Sequence, residues 1–174
     1  MTDLLIRALP LSEFETRIPE LNEVLIGCVA DGASVSFMHP LSVEKATKFW
    51  QNVARSVANS ERVVLVAEDE HQQIVGTVQL ITDQPENQPH RADVAKLLVH
   101  PRARRRGIAQ RLMQQLEIVA QNAGKTVLVL DTATGSDAEI FYRHLGWQRV
   151  GELPKYALMP DGAFCATTFY FKHL

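Results

Sequence analysis

Five arginines, Arg102, Arg104, Arg105, Arg106 and Arg111, fall within ten positions of a 174-residue chain whose net charge is only −2. At their centre is the turn Arg104-Arg105-Arg106-Gly107-Ile108-Ala109. An apolar stretch ending at Val99 precedes it, and a helical pattern begins at Ile108. The first N–H groups of a helix have no internal partner, and the helix dipole favours negative charge there. Successive N–H groups in the turn can form a concave anion nest. Gly107 permits close backbone approach, Ala109 is too small to block it, and arginines add charge-assisted contacts to phosphate oxygens. Pyrophosphate is the ligand that suits this geometry. A Walker loop needs Gly-Lys-Ser/Thr and a dinucleotide fingerprint needs three glycines, and neither pattern is present.

The elements that must position this turn can be read from periodicity. Residues 4–8 predict a strand. Pro19 opens a helical pattern through Leu21, Val24, Leu25 and Cys28, ended by Asp31-Gly32. Residues 31–38 read as a loop. Ser42 is an N-cap for a helix with the stripe Val43, Ala46, Trp50, Val53 and Val57. Val63–Glu68 and Ile74–Ile81 form a hairpin, and a polar connection leads to a strand from Asp93 to Val99. The helix from Ile108 carries Leu112, Leu116, Val119 and Ala120 on one face and is capped by Gly124. Thr126–Asp131 is a short buried strand. Ser136 and Glu139 make a capping box for a helix reaching about Leu145. Strands at 148–152 and 167–172 enclose a long loop with Pro154, Pro160 and Asp161-Gly162. The fold class is α/β (α+β): one domain over 1–174, with a mixed, mostly antiparallel central sheet flanked by helices on both faces.

Composition narrows the function classes. Hydrophobic residues at 46% and charged ones at 22% exclude a disordered chain. The near-neutral balance argues against nucleic acid and against an anionic membrane as partners. No apolar run approaches the ~20 residues that span a bilayer, and Met1 to Arg7 does not read as a signal peptide. Cys28 and Cys165 form no metal or redox spacing, so two thiols in a reducing, cytoplasmic setting are expected, with no metal.

The stretch Leu97-Leu98-Val99-His100-Pro101, the turn Arg104–Ala109 and the continuation into Leu112 resemble the acetyl-CoA motif of the GNAT superfamily of N-acetyltransferases. Ser136 to Trp147, with Phe141-Tyr142 before Gly146-Trp147, resembles the family's later helix. The resemblance implies acetyl-CoA as co-substrate, held by Leu97, Leu98, Val99, Arg104, Arg105, Arg106, Gly107, Ile108, Ala109, Ser136 and Phe141. It implies that Tyr142 protonates or hydrogen-bonds the departing thiolate. Tyr142 is rotated about 100° from Phe141 and can face a cleft while Phe141 packs. A phenol of pKa ~10 is protonated at neutral pH and can serve in that way.

The acceptor amine must be neutral to attack, so a proton acceptor is expected. Asp131, at the end of its strand, is the first choice. Asp93, at the start of the strand leading to the turn, is the second; a surface ion pair with Arg91 or Lys96 is its alternative. Glu68 and His100 are weaker candidates. No Cys-His or Ser-His pairing suggests an acyl-enzyme, so direct transfer is expected, with a backbone N–H of Leu97 or Leu98 for the oxyanion. Further stretches, including Asp31 to Met38, Arg91 to Leu97 and Val150 to Pro154, resemble toxin-resistance acetyltransferases. They imply a small-molecule amine acceptor, amino-acid-like. A protein or peptide N-acetyltransferase and a non-catalytic acyl-CoA sensor are the alternatives. A monomer or homodimer is compatible with the sequence.

Overall fold

The computed structural model describes residues 4–174. The part of the N-terminal reading that concerns residues 1–3 lies outside them. One seven-stranded sheet runs β1 (Leu5–Ala8), β2 (Arg62–Glu68), β3 (Ile74–Ile81), β4 (Arg91–Val99), β5 (Val127–Ala133), β7 (Phe164–His173) and β6 (Gln148–Leu158) in spatial order. Every neighbouring pair is antiparallel except β4 with β5.

Alternation along β2 builds a core on each face of the sheet. Val64 and Val66 pack towards α1 (Leu11–Ala30) and α2 (Val43–Ala58), with Leu21, Leu25 and Trp50. Leu65 and Ala67 pack towards α3 (Ile108–Asn122) and α4 (Asp137–His144), with Leu112, Leu116 and Tyr142. The mixed, mostly antiparallel sheet with helices on both faces is therefore the observed architecture. No helix among the described residues is long and apolar enough to cross a membrane.

Several boundaries differ from the periodicity reading. Pro19 lies inside α1 and does not open it, because the helix starts at Leu11. The missing hydrogen bond and ring clash cost about 3 kcal/mol. Burial of Phe14 and Ile18 in the same core as Leu21 returns about 1.5–3 kcal/mol for each side chain, so packing wins. α2 begins after Ser42, whose Oγ accepts the Lys45 N–H at 3.1 Å. Val43, however, is exposed and not part of the buried stripe. β4 starts at Arg91, two residues before Asp93, and β5 continues past Asp131 to Ala133.

The long loop expected after residue 152 is instead the body of a hairpin. β6 runs through Pro154 to Leu158 and β7 begins at Phe164. Proline has no N–H for a ladder, and here it sits on an edge strand where the register shifts between Leu153 and Ala157.

Candidate active site

The site begins as a failure of pairing. β4 and β5 are joined only from Arg91–Asp93 to Val127–Val129. Beyond Asp93 they have no paired residues, and a cleft of about 660 Å³ opens between them, lined by Leu97, Leu98, Val99, Gly107 and Tyr142 among others. On its other side β4 carries a bulge. Leu98 pairs with Thr77 and Ala95 with Gln79, so Lys96 and Leu97 together face the single residue Val78. Lys96 takes φ 55 to make the insertion. Its backbone and that of Leu97 are thus outside both ladders at the edge of the cleft.

The arginine-rich turn closes one end. A short 3₁₀ turn, Pro101–Ala103, follows β4, and the His100 ring accepts the Arg102 N–H at 3.2 Å. Arg105 (φ 60) and Gly107 (φ 72) then take left-handed conformations, and α3 starts with no side-chain cap. Among the described residues, no partner accepts from the backbone N–H groups of Arg105 to Gln110. This is an anion nest at a helix N-terminus. A Cβ on Gly107 would meet nothing within 4 Å, as expected of a position facing open space. Gly76 on β3 sets the depth of the nest. A Cβ there would lie 3.1 Å from the Leu98 carbonyl oxygen and 3.2 Å from Ile108, so a larger residue would push these neighbours back by a few tenths of an ångström.

The arginine side chains divide. Arg104 and Arg105 line the cleft. Arg104 donates from Nε to the Val99 carbonyl at 3.3 Å and pairs with Asp31 at the end of α1. Arg106 reaches out to Glu70 at 3.4 Å, Arg102 to Glu23 at 2.7 Å and Arg111 to the Leu4 carbonyl at 2.7 Å. Of Arg106, only the backbone serves the nest. Ile108 is buried against the sheet and still borders the cleft, which Ala109, Ser136 and Phe141 also line.

Tyr142 comes from α4 and is buried, although its side chain borders the cleft. Its ring lies 5.9 Å from Trp147 and 6.2 Å from Tyr170 between centroids. No described residue accepts from its hydroxyl. Burial, and secondarily the charge of Asp131, push its pKa well above the usual phenol value. The expected capping box is rearranged beneath it. Ser136 Oγ donates to the Ala133 carbonyl at 2.7 Å, and Glu139 turns inward to accept from Tyr170 Oη at 2.7 Å and from the Gly135 N–H at 2.6 Å. A buried phenol needs an acceptor, and Tyr170 takes Glu139 for that purpose. Glu139 thereby steadies one of the rings that hold Tyr142.

Asp131, near the end of β5, accepts from Thr167 Oγ1 at 2.8 Å. It lines two further cavities beyond the main cleft. One, of about 360 Å³, includes Ser34, Met38, Tyr156 and Cys165. The other, of about 160 Å³, includes Lys96 and Tyr142. The loop after α1 roofs this region and is tied to the β6–β7 hairpin by His39 N–H to the Pro160 carbonyl at 3.1 Å. Tyr142, Leu97 and Thr132 line both the main cleft and the smallest cavity, so the two meet there.

The other acidic candidates lie elsewhere. Asp93 stands where β4 and β5 are still paired, held by Arg91 and by Gln84 Nε2 at 3.1 Å, and lines none of these cavities. The ion pair with Arg91 named as its alternative is what the structure contains. Glu68 is locked between Arg7 and Arg17. His100 is a turn residue whose pKa is lowered by burial and by Arg102. Thr167, Lys96 and Gly76 carry no local motif, and the capping-box pattern of Glu139 points to a helix start and not to Tyr170. A sequence gives no sign of these contacts until the strands that face them are known.

The sequence pattern of the acetyltransferase (GNAT) domain family matches residues 60–149, just over half of the chain, and the chain belongs to that family. Solved structures share its fold over nearly the whole length. A ribosomal-protein-alanine N-acetyltransferase from Brucella melitensis is 24% identical, with 98% of this chain and 99% of that one covered and a TM-score of 0.78. YncA from Salmonella typhimurium, with its cofactor acetyl-CoA, is 19% identical at 99% and 94% coverage, TM-score 0.77. A phosphinothricin acetyltransferase from Sinorhizobium meliloti, in complex with acetyl-CoA, is 17% identical at 98% and 88% coverage, TM-score 0.80.

Proposed function

We propose that this protein transfers an acetyl group from acetyl-CoA to the primary amine of a small, amino-acid-like molecule, by direct attack with both substrates bound. One observation carries the reading. The free N–H nest lies at one end of the β4–β5 cleft, and Tyr142 and Asp131 stand where the cleft meets a small roofed cavity. The nest and the open space over Gly107 fit a pyrophosphate. Acetyl-CoA would supply the activated acetyl group, while the unladdered backbone at Leu97 can hold a carbonyl oxygen. Asp131 receives the acceptor's ammonium proton, directly or through water, Tyr142 donates its hydroxyl proton to the sulfur as the C–S bond breaks, and the second proton lost by the nitrogen as the amide forms restores the phenol. Holding both reactants in one cleft supplies proximity.

Cavities of about 360 and 160 Å³ under a tied-down loop suit a small acceptor better than an extended peptide. The sequence stretches noted above resemble the tabtoxin resistance protein, which inactivates a β-lactam amino-acid toxin, and a toxin-resistance role belongs to the same proposal. The phosphinothricin acetyltransferase likeness is consistent with it. The Brucella likeness keeps a protein N-terminus as the second reading. One acetyltransferase domain over 1–174, acting as a monomer or homodimer, completes the proposal. A cytoplasmic location is supported by the free thiols Cys28 and Cys165. The test is thiol release from acetyl-CoA against a panel of small amines, amino acids and N-terminal peptides. Turnover confined to peptides would reject the small-acceptor reading, and tight acetyl-CoA binding without turnover would reject catalysis.

A further inference from the structure

Lys96 has no part in the mechanism above, yet its placement is costly. It belongs to the β4 bulge, with φ 55, a region that L side chains avoid. Such backbone persists where the surroundings demand it, and it gathers at functional sites. The Lys96 ammonium sits 3.1 Å from Ser36 Oγ and 5.9 Å from the centre of the Phe49 ring. Among the described residues it makes no ion pair. It is half-buried, and its partners are a hydroxyl and a ring face.

The smallest cavity is thus bipolar. Lys96 from β4 and Asp131 from β5 both line it, with Tyr142. Burial lowers the Lys96 pKa, and the Asp131 charge acts in the opposite sense. A half-buried cation with no anion in hydrogen-bond contact is incompletely compensated, and a carboxylate brought to it would make a charge-assisted hydrogen bond. The phosphates of a cofactor are poor candidates for that anion. Their nest is built on Arg105 to Gln110, and Lys96 does not line the main cleft.

We propose that Lys96 is the specificity-determining residue of the acceptor site, binding a carboxylate that the acceptor carries a few bonds from the amine received by Asp131. This rests on the acetyl-transfer reading of the cleft and adds a requirement to it: a small amine without an anionic group is a poor acceptor. The bulge then has two uses, freeing backbone towards the thioester and turning Lys96 to the acceptor.

The test uses matched acceptors, amino acids and their methyl amides, at saturating acetyl-CoA. The amine of the amide is less basic and more often neutral near pH 7, so intrinsic reactivity favours the amide. The expected result is the reverse: kcat/KM higher for the acid by about 10- to 100-fold, the worth of a charged hydrogen bond. In Lys96→Met and Lys96→Gln that ratio falls towards unity, with acetyl-CoA affinity kept as evidence of folding. Lys96→Arg restores part of it. Equal turnover of acid and amide by the wild-type protein would overturn the proposal and leave the transferase reading intact. A preference for the acid that survives in both uncharged variants would also overturn it. If no amine is acetylated while acetyl-CoA binds, the transferase reading fails and this inference with it.

Discussion

The Thr167 hydroxyl on β7 lies 2.8 Å from Asp131 Oδ2 and 3.0 Å from the Thr132 carbonyl oxygen on β5. Its single proton serves two acceptors, and one of them is the carboxylate proposed to receive the ammonium. Thr167 is buried while Asp131 is exposed, so the contact is anchored on the protein side and open to solvent on the other. Thr167→Val keeps the shape and removes the donor. Its expected effect is a fall in kcat/KM for the amine of about 10-fold, since a hydrogen bond to a charged group is lost. Acetyl-CoA affinity should stay at the wild-type value, because the nest is formed by other residues. Steady-state kinetics varying each substrate separately would separate the two, and an unchanged amine kcat/KM would show that Asp131 does not depend on Thr167.

Tyr142 leads to a prediction about pH. Burial and the Asp131 charge both favour the protonated phenol, so the hydroxyl remains a donor beyond the usual value of about 10. No loss of activity up to that pH should then trace to Tyr142. Tyr142→Phe should lower kcat about 100-fold, within the range for a lost general acid, without creating or abolishing an ionisation in the profile. The check is kcat measured across neutral to alkaline pH for both proteins. Wild-type kcat in the variant would remove Tyr142 from the mechanism.

Gly107 separates strain from charge. An alanine there must hold φ 72, at a cost of about 1–2 kcal/mol, although its Cβ would touch nothing. Gly107→Ala should therefore lose stability and keep most of its acetyl-CoA affinity. Gly107→Glu has the same strain and adds a carboxylate to the nest. It should bind acetyl-CoA more weakly than Gly107→Ala by about 10-fold or more, the size of a like-charge contact near a protein surface. Calorimetric titration of the two variants measures the difference, and equal affinities would mean that the pyrophosphate lies elsewhere.

The contrast between the Gly107 turn and Lys96 shows what local sequence can and cannot specify. The turn is readable because all its information is contiguous: a strand end, a glycine and a helical period starting at Ile108. The Lys96 bulge arises from register, since Ala95 and Leu98 are matched to Gln79 and Thr77 on another strand. Nothing between Arg91 and Val99 announces the extra residue. Glu139 was legible as a helix-start residue, but its true partner is Tyr170, 31 positions away, and that buried hydroxyl outbids the local cap. Pro19 and Pro154 misled in the same way. Each breaks a local rule, and tertiary packing in one case and an edge bulge in the other absorb the break. Asp93 and Asp131 are indistinguishable as strand-terminal carboxylates, and only the point where β4 and β5 part separates them.

Glu68, once freed of a catalytic part, becomes a stability prediction. Its carboxylate accepts from Arg7 Nε at 3.0 Å, from a second Arg7 nitrogen at 2.8 Å and from Arg17 at 2.7 Å, with only 6% of its side chain exposed. The hydrogen bonds from Arg7 hold its pKa below the usual carboxylate range, opposed by burial and helped by Arg17. A depressed folded-state pKa means that the stabilisation is complete at neutral pH. It is lost as pH falls through the unfolded value of about 4.3 towards the lower folded one. Glu68→Gln should be less stable than wild type by about 2 kcal/mol at pH 7, because two guanidinium groups lose a charged acceptor. The gap should narrow near pH 3, below the unfolded value, where the unfolded wild-type chain takes up a proton that the folded one resists. Urea unfolding at the two pH values tests both statements. A variant as stable as wild type at pH 7 would show that the cluster costs as much in desolvation as it returns.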